Sequence, residues 1–247
     1  MINELEQIKQ RILKEYEASG LPVIYAEAYC DEMMLPMSDG AALKTYIFRG
    51  CKDGAMPVIL QRSPYAHALE IYKLHGRELA KRGFGVVLQF CRGTGESEGE
   101  WNPNVNERKD GIDTLQWLCA LPWVKNVGYW GGSYLALTGW CMADCIPDKV
   151  RGMYLGVYGT DRFTSAYEKG LFRHDVLTAW AMENAGYEVR ADYMESCKYR
   201  PHVEVDEALW GRRLSWYRDW VTATTADAPY WQEGFWEMLS EIPSRVK

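Results

Sequence analysis

The run Val127-Gly128-Tyr129-Trp130-Gly131-Gly132-Ser133-Tyr134-Leu135-Ala136 constrains this chain more than any other stretch. It reads as a short strand that turns sharply into a helix, with one serine at the corner. Gly131 and Gly132 precede the serine and Ala136 follows within a turn. Small residues are what a strand and a helix need where their backbones nearly touch. A serine on such a corner holds its hydroxyl off the sheet edge. The N–H of Tyr134 points to the same place and supplies half of an oxyanion hole. The nucleophile pattern G-x-S-x-G asks for glycine two residues after the serine, where this chain has Leu135. The competing reading is an ordinary strand–turn–helix corner that happens to carry serine.

From Pro57 to Gly159 strands and helices alternate, and ahead of them stand a helix and a pair of strands. Residues 2–19 place Leu5, Ile8, Ile12 and Tyr16 on one face, an amphipathic helix ended by Gly20 and Pro22. Strands over Tyr25 to Met37 and Leu43 to Phe48 flank Ser38-Asp39-Gly40, a hairpin signal. Pro57 to Gln61 is nearly all apolar, as in a central strand, and runs into Arg62-Ser63-Pro64-Tyr65. A helix from Leu69 to Arg82 and a strand from Val86 to Phe90 follow. Asn104 with Glu107 reads as a helix N-cap pair, ahead of the apolar face of Ile112, Leu115 and Cys119. A helix from Leu135 to Ala143 and a strand from Val150 to Tyr158 follow the corner. The alternation predicts a parallel sheet with helices on both faces.

From Asp161 the strand-like runs stop. Helical stretches continue to about Ile242 and hold six of the eleven tryptophans. The expected division is an N-terminal helix (1–24), an α/β core (25–160) and a helical cap (161–247), with a separate helical domain as the alternative to the cap.

Composition excludes several classes. A net charge of −6 without a basic block argues against a nucleic-acid partner. No apolar run approaches a membrane span, and the charged N-terminus lacks a signal-peptide apolar region, so no membrane partner is expected. Seven cysteines without a CxxC pair suit reduced thiols, and the expected location is cytoplasmic. Cys141 and Cys145, four apart on a helix, read as core packing, since no histidine stands at zinc-like spacing. The glycine-rich Arg92 to Gly99 is followed by Glu100-Trp101-Asn102-Pro103, not by a helix that would hold a pyrophosphate. A dinucleotide site is therefore rejected, and no cofactor or metal is expected.

Four motifs together resemble the family of cocaine esterase and X-prolyl dipeptidyl-peptidase, serine hydrolases of the α/β-hydrolase fold. They are Arg62-Ser63-Pro64-Tyr65, Arg92 to Gly99, Asp110-Gly111-Ile112-Asp113-Thr114-Leu115-Gln116-Trp117, and Val127 to Tyr134. The similarity covers residues 26 to 161 well and the helical part weakly. It implies an α/β-hydrolase-type sheet, incomplete and lacking the last strands, with a C-terminal helical cap. It makes Ser133 the nucleophile and Tyr65 the hydroxyl donor to the oxyanion, beside the Tyr134 N–H. It places Tyr167 and Trp180 near the aromatic walls of an acyl pocket. Arg62 and Arg92 read as braces near Asp110 and Asp113. Phe90-Cys91 replaces the aspartate usual near the Arg-Gly motif, a local packing change.

The family's triad runs serine, acid, histidine, with the last two on loops beyond the cap. Here His67 and His75 precede Ser133, His174 and His202 lie in the helical part, and no strand-like run follows residue 242. The expectation is one part of a larger hydrolase, with the acid and base supplied elsewhere and the sixth strand left as an apolar edge. The partners are then a small ester or short peptide substrate, and a complementing C-terminal chain or a further copy. Ala136 stands where amino-acid ester hydrolases of this family carry an acid, which tilts the substrate towards neutral acyl groups. The other function class is a non-catalytic binding or scaffold protein on a degenerate hydrolase domain.

Overall fold

In the computed structural model, which describes residues 4–158 and 162–232, six strands form one sheet in the order β1-β2-β4-β3-β5-β6. These are β1 (Tyr29–Pro36), β2 (Ala42–Arg49), β3 (Met56–Ser63), β4 (Gly85–Phe90), β5 (Val124–Gly132) and β6 (Val150–Gly156). β1 and β2 pair antiparallel, β2 pairs antiparallel with β4, and β4, β3, β5 and β6 run parallel. Alternate residues of the buried strands point to opposite faces. Val86, Leu88 and Phe90 pack with Phe48 and with Leu79 of α2 (Leu69–Lys81), near Tyr16 of α1 (Glu4–Ala18). Val58, Leu60, Val87 and Val127 face the other way. They meet Leu115 and Leu118 of α3 (Glu107–Ala120), and Met142 just beyond α4 (Tyr134–Trp140). Helices thus cover both faces of this mixed sheet, as its parallel strands require.

The departures from the sequence reading have local causes. Strand β1 starts at Tyr29 because Ile24 and Tyr25 donate their N–H groups to the Lys81 carbonyl at 2.8 and 2.9 Å, closing the end of α2. Asn104 does not cap α3. The helix begins at Glu107, after Asn106, and Asn104 takes a left-handed φ of 69° with its N–H on the Tyr134 hydroxyl. Among the described residues Asp113 pairs with no arginine; it accepts the Ser38 N–H at 2.8 Å and pins the turn between β1 and β2. The Arg92 to Gly99 loop is a chain of tight turns with positive φ at Gly93, Gly95 and Gly99, and the next helix begins only at Glu107.

Beyond β6 the described chain is mostly helical. It contains α5 (Arg162–Ala166), α6 (His174–Asn184), α7 (Tyr193–Lys198), α8 (Val205–Trp210), α9 (Ser215–Thr222) and α10 (Pro229–Gln232). The sequence reading missed a small hairpin there, β7 (Tyr167–Glu168) with β8 (Leu171–Phe172), turned by Lys169 and Gly170 at φ of 52° and 82°. The expected continuation to Ile242 lies outside the described residues. β6 pairs only with β5 among the described residues, and beside that edge Tyr154 is 69% and Val157 93% exposed. No helix among the described residues is long and apolar enough to cross a membrane.

The corner after β5 depends on one close approach. A Cβ at Gly131 would lie 2.5 Å from the carbonyl carbon and oxygen of Leu135, whereas at Gly132 the nearest atom would be 3.8 Å away. Gly131→Ala is therefore expected to destabilise by about 1–3 kcal/mol, the range for overpacking. Gly132→Ala is expected to leave the melting temperature within about a degree or two. Calorimetric melts of the two variants check the contrast.

Candidate active site

Strands β3 and β5 are parallel neighbours, with Leu60 opposite Tyr129. Both run out at the same edge of the sheet, β3 towards Tyr65 and β5 into Ser133. Ser133 has φ 55° and ψ −130°, a conformation an L-residue rarely takes, and it is solvent-exposed. Its N–H donates to the Gly156 carbonyl at 2.9 Å, and its carbonyl accepts from Ala136 and Leu137 at 2.8 and 3.2 Å. The hydroxyl of Tyr129 lies 2.9 Å from the Leu135 carbonyl and 2.6 Å from the Thr138 hydroxyl, and accepts the Arg62 N–H at 3.3 Å. One buried phenol thus ties the end of β3 to the first turns of α4.

Tyr65 comes to this corner as the motif predicts: its Oη is 3.2 Å from Ser133 Oγ. Trp180 of α6 donates its Nε1–H to the same Tyr65 oxygen at 3.1 Å. An indole nitrogen can only donate, so Tyr65 accepts this bond and keeps its own hydrogen for Ser133 or for a negative oxygen beside it. Accepting one bond also strengthens the donation of the other. Tyr134 is the first residue of α4, so its main-chain N–H has no acceptor within the helix. Its ring lies against the Trp180 ring, centroids 5.6 Å apart and planes within 6°.

The far end of Tyr134 is anchored by Glu107, which the sequence reading treated only as a capping partner. The Tyr134 hydroxyl donates to Glu107 Oε1 and accepts the Asn104 N–H at 2.7 Å. Burial pushes the Glu107 carboxyl up, against the pull of the Arg62 guanidinium, and pushes the Tyr134 phenol well up. No local pattern marks Glu107, because its contact lies 27 residues along the chain. Fully buried Arg62 donates to Gln89 Oε1 at 2.8 Å and to the Glu107 carbonyl at 2.7 Å, with Asp110 3.9 Å away. Arg92 sits 2.6 Å from Asp110 and 3.0 Å from Asp39. These two arginines brace loops, as their motifs suggested. Cys91 is buried against Tyr134, Leu137 and Cys141, while Cys145 Sγ accepts from Arg108 at 2.9 Å.

Ser133, Tyr134, Val157, Leu177, Trp180 and Trp220 line a cavity of about 250 Å3, in company with Arg173. Tyr167 does not line it. That residue is in the core of the helical segment, 5% exposed, stacked on Phe163, and its hydroxyl donates to the carbonyls of Trp220 and Val221 at 2.8 and 3.0 Å. An aromatic ring on this fold needs a direction as well as a position, and the β7–β8 hairpin turns Tyr167 inward.

None of the four histidines is hydrogen-bonded to Ser133. His67 stands in an exposed turn with its ring 5.8 Å from that of Tyr65. His75 bonds the Tyr16 hydroxyl at 2.9 Å. His174 is held by Ser196 at 3.0 Å and Thr178 at 2.8 Å, with the His202 ring 4.6 Å away.

The sequence profile described as X-Pro dipeptidyl-peptidase (S15 family) matches residues 39–246. The chain belongs to the S15 family. Cocaine esterase from Rhodococcus sp. (strain MB1 Bresler) is 39% identical over 113 residues, which is 44% of this chain and 20% of the esterase. An aminopeptidase from a marine sediment Thaumarchaeota archaeon superposes with a TM-score of 0.68 at 19% identity, covering 90% of this S15 chain and 42% of that one. An α-amino acid ester hydrolase gives 0.65 at 19% identity, over 89% and 41% of the two chains. A CocE/NonD family hydrolase from Staphylococcus aureus gives 0.58 at 20% identity, over 86% and 39%. These superpositions establish the α/β-hydrolase-type fold. This S15 chain spans a fifth of the esterase and about two fifths of the solved hydrolases.

His174 makes a prediction separate from catalysis. Burial first, then the neighbouring His202 and Arg200, outweigh Asp175 and lower its pKa from 6.5 to about 4. The unfolded chain therefore binds this proton more readily than the folded one between those values. Stability from this group is complete above about pH 7 and falls as the pH drops from 6.5 towards 4. Urea midpoints by tryptophan fluorescence at pH 7 and pH 5 should differ less in His174→Gln than in the unmodified protein.

Proposed function

We propose that this S15 chain carries the nucleophile and both oxyanion donors of a serine hydrolase that cleaves ester or amide bonds through an acyl-enzyme. The observation that carries the reading is the strained corner at Ser133 with the Tyr65 hydroxyl 3.2 Å from its Oγ. Ser133 Oγ attacks the substrate carbonyl and gives its proton to a histidine. The carbonyl oxygen becomes negative and is held by the Tyr65 O–H and the Tyr134 N–H. Collapse breaks the bond to the leaving alcohol or amine, which takes the proton from the histidine. Water then releases the acyl group by the same steps. The donors aim at charge that exists only after attack, so they lower the barrier rather than tighten substrate binding.

None of the four histidines of the sequence is hydrogen-bonded to Ser133: His75 and His174 are held by other side chains, and His67 has its ring beside that of Tyr65. In this reading the proton acceptor and its acid are supplied by a further segment of the polypeptide or by a complementing chain. The substrate is a small ester or a short peptide. The matched family is described by a peptidase and the relative that is 39% identical over 113 residues is an esterase, and both reactions pass through a tetrahedral intermediate.

In an assembly that contains the histidine, a fluorophosphonate probe should label Ser133, and Ser133→Ala should abolish labelling. Tyr65→Phe should lower kcat by about 10²–10³ with little change in KM, the effect of losing one oxyanion donor. Trp180→Phe keeps Tyr65 but removes the bond that orients its hydroxyl, and should cost roughly tenfold in kcat. An unlabelled Ser133 in that assembly would overturn the enzyme reading and leave a binding scaffold.

A further inference from the structure

The cavity beside Ser133 has an unusual charge. Arg173, the residue ahead of α6, lines it and is half-buried. Among the described residues no Asp or Glu lines the cavity, and Arg173 makes no ion pair. Arg62, Arg82, Arg92, Arg108 and Arg218, which are also partly or fully buried, each lie against a carboxylate. The nearest acid in sequence, Asp175, is exposed and is not part of the lining. A cation partly withdrawn from water without a countercharge favours an anion brought by a ligand.

The rest of the lining sets size and shape. Val157, Val176, Leu177, Trp180 and Trp220 give apolar walls, and about 250 Å3 is below the usual range for a drug-sized ligand. The space suits a short acyl chain rather than an extended peptide. An acyl group ending in a free ammonium would meet Arg173 as a like charge in this cleft, with no carboxylate among the described lining residues to receive it.

We propose that this cavity takes a short acyl group ending in a carboxylate, with Arg173 as its countercharge, and turns away acyl groups ending in an ammonium. The proposal rests on the hydrolase reading only for naming the occupant an acyl group; the charge preference is a binding property. The acyl chain lies along the apolar walls, its carbonyl near Ser133 and its far end towards Arg173.

Binding can be read without turnover, because Trp180 and Trp220 line the cavity and report its filling by fluorescence. Three amides of equal chain length serve as probes: glutaramate (anionic), valeramide (neutral) and 5-aminovaleramide (cationic). Glutaramate is expected to bind roughly tenfold tighter than valeramide, the scale of one bond to a charged group, with 5-aminovaleramide weakest. Arg173→Gln should bring glutaramate down to the affinity of valeramide for the same variant. Arg173→Lys should keep part of the preference. Equal affinity for the three probes, no binding of any of them, or an anion preference that survives Arg173→Gln would each overturn the proposal. Fluorophosphonate labelling of Ser133 decides the hydrolase reading separately, so failure of one is distinguishable from failure of the other.

Discussion

A serine held at φ 55° and ψ −130° costs about 1–3 kcal/mol of backbone strain, so its surroundings have to over-determine it. They do so from three directions. The bare Cα of Gly131 lets the Leu135 backbone come close enough to close the corner. The Gly156 carbonyl of β6 takes the Ser133 N–H. The Tyr129 phenol, buried beneath, reaches both the first turn of α4 and the end of β3. Together these contacts tie the corner to β3, α4 and β6. The exposed hydroxyl of Ser133 is the product of that closure.

Above the corner, Trp180 joins the helical segment to the sheet. It gives a hydrogen bond to Tyr65 and a ring face to Tyr134, the two residues that flank the carbonyl oxygen in the proposed chemistry. Below it, Glu107 holds the far end of Tyr134. Arg62, Asp110 and Arg92 continue this chain of buried charge into the loops after β3 and β4. A buried network of this kind is costly to leave half-made and specifies one arrangement when complete. The preference of Arg173 for an anion concerns the wall of the cavity and not this network.

Much of the fold was legible because its signals are local. The apolar run of Pro57 to Gln61, the turn at Ser38-Asp39-Gly40 and the glycines before Ser133 each name an element with no help from elsewhere. The pairing of Tyr65 with Ser133 was legible through the family resemblance of its motif, and the structure supplies the reason: two parallel neighbouring strands deliver their ends to one edge. Three features stayed hidden. Glu107 has no periodicity or spacing to mark it, because its partner is on another helix. Tyr167 was placed by the family resemblance, and a hairpin of two two-residue strands then decided which way it faced. Asn104 carries the residue type of a cap but a left-handed backbone that its sequence neighbours do not announce.

The Trp180–Tyr65 hydrogen bond has an implication for remodelling this molecule. The same indole is a wall of the cavity and the partner of Tyr65. Trimming it to admit bulkier acyl chains would loosen the phenol that faces the nucleophile. Tolerance for large substrates and speed on small ones are thereby placed on one side chain, and an engineer would have to widen the space at Leu177 or Val176 to change the first without sacrificing the second.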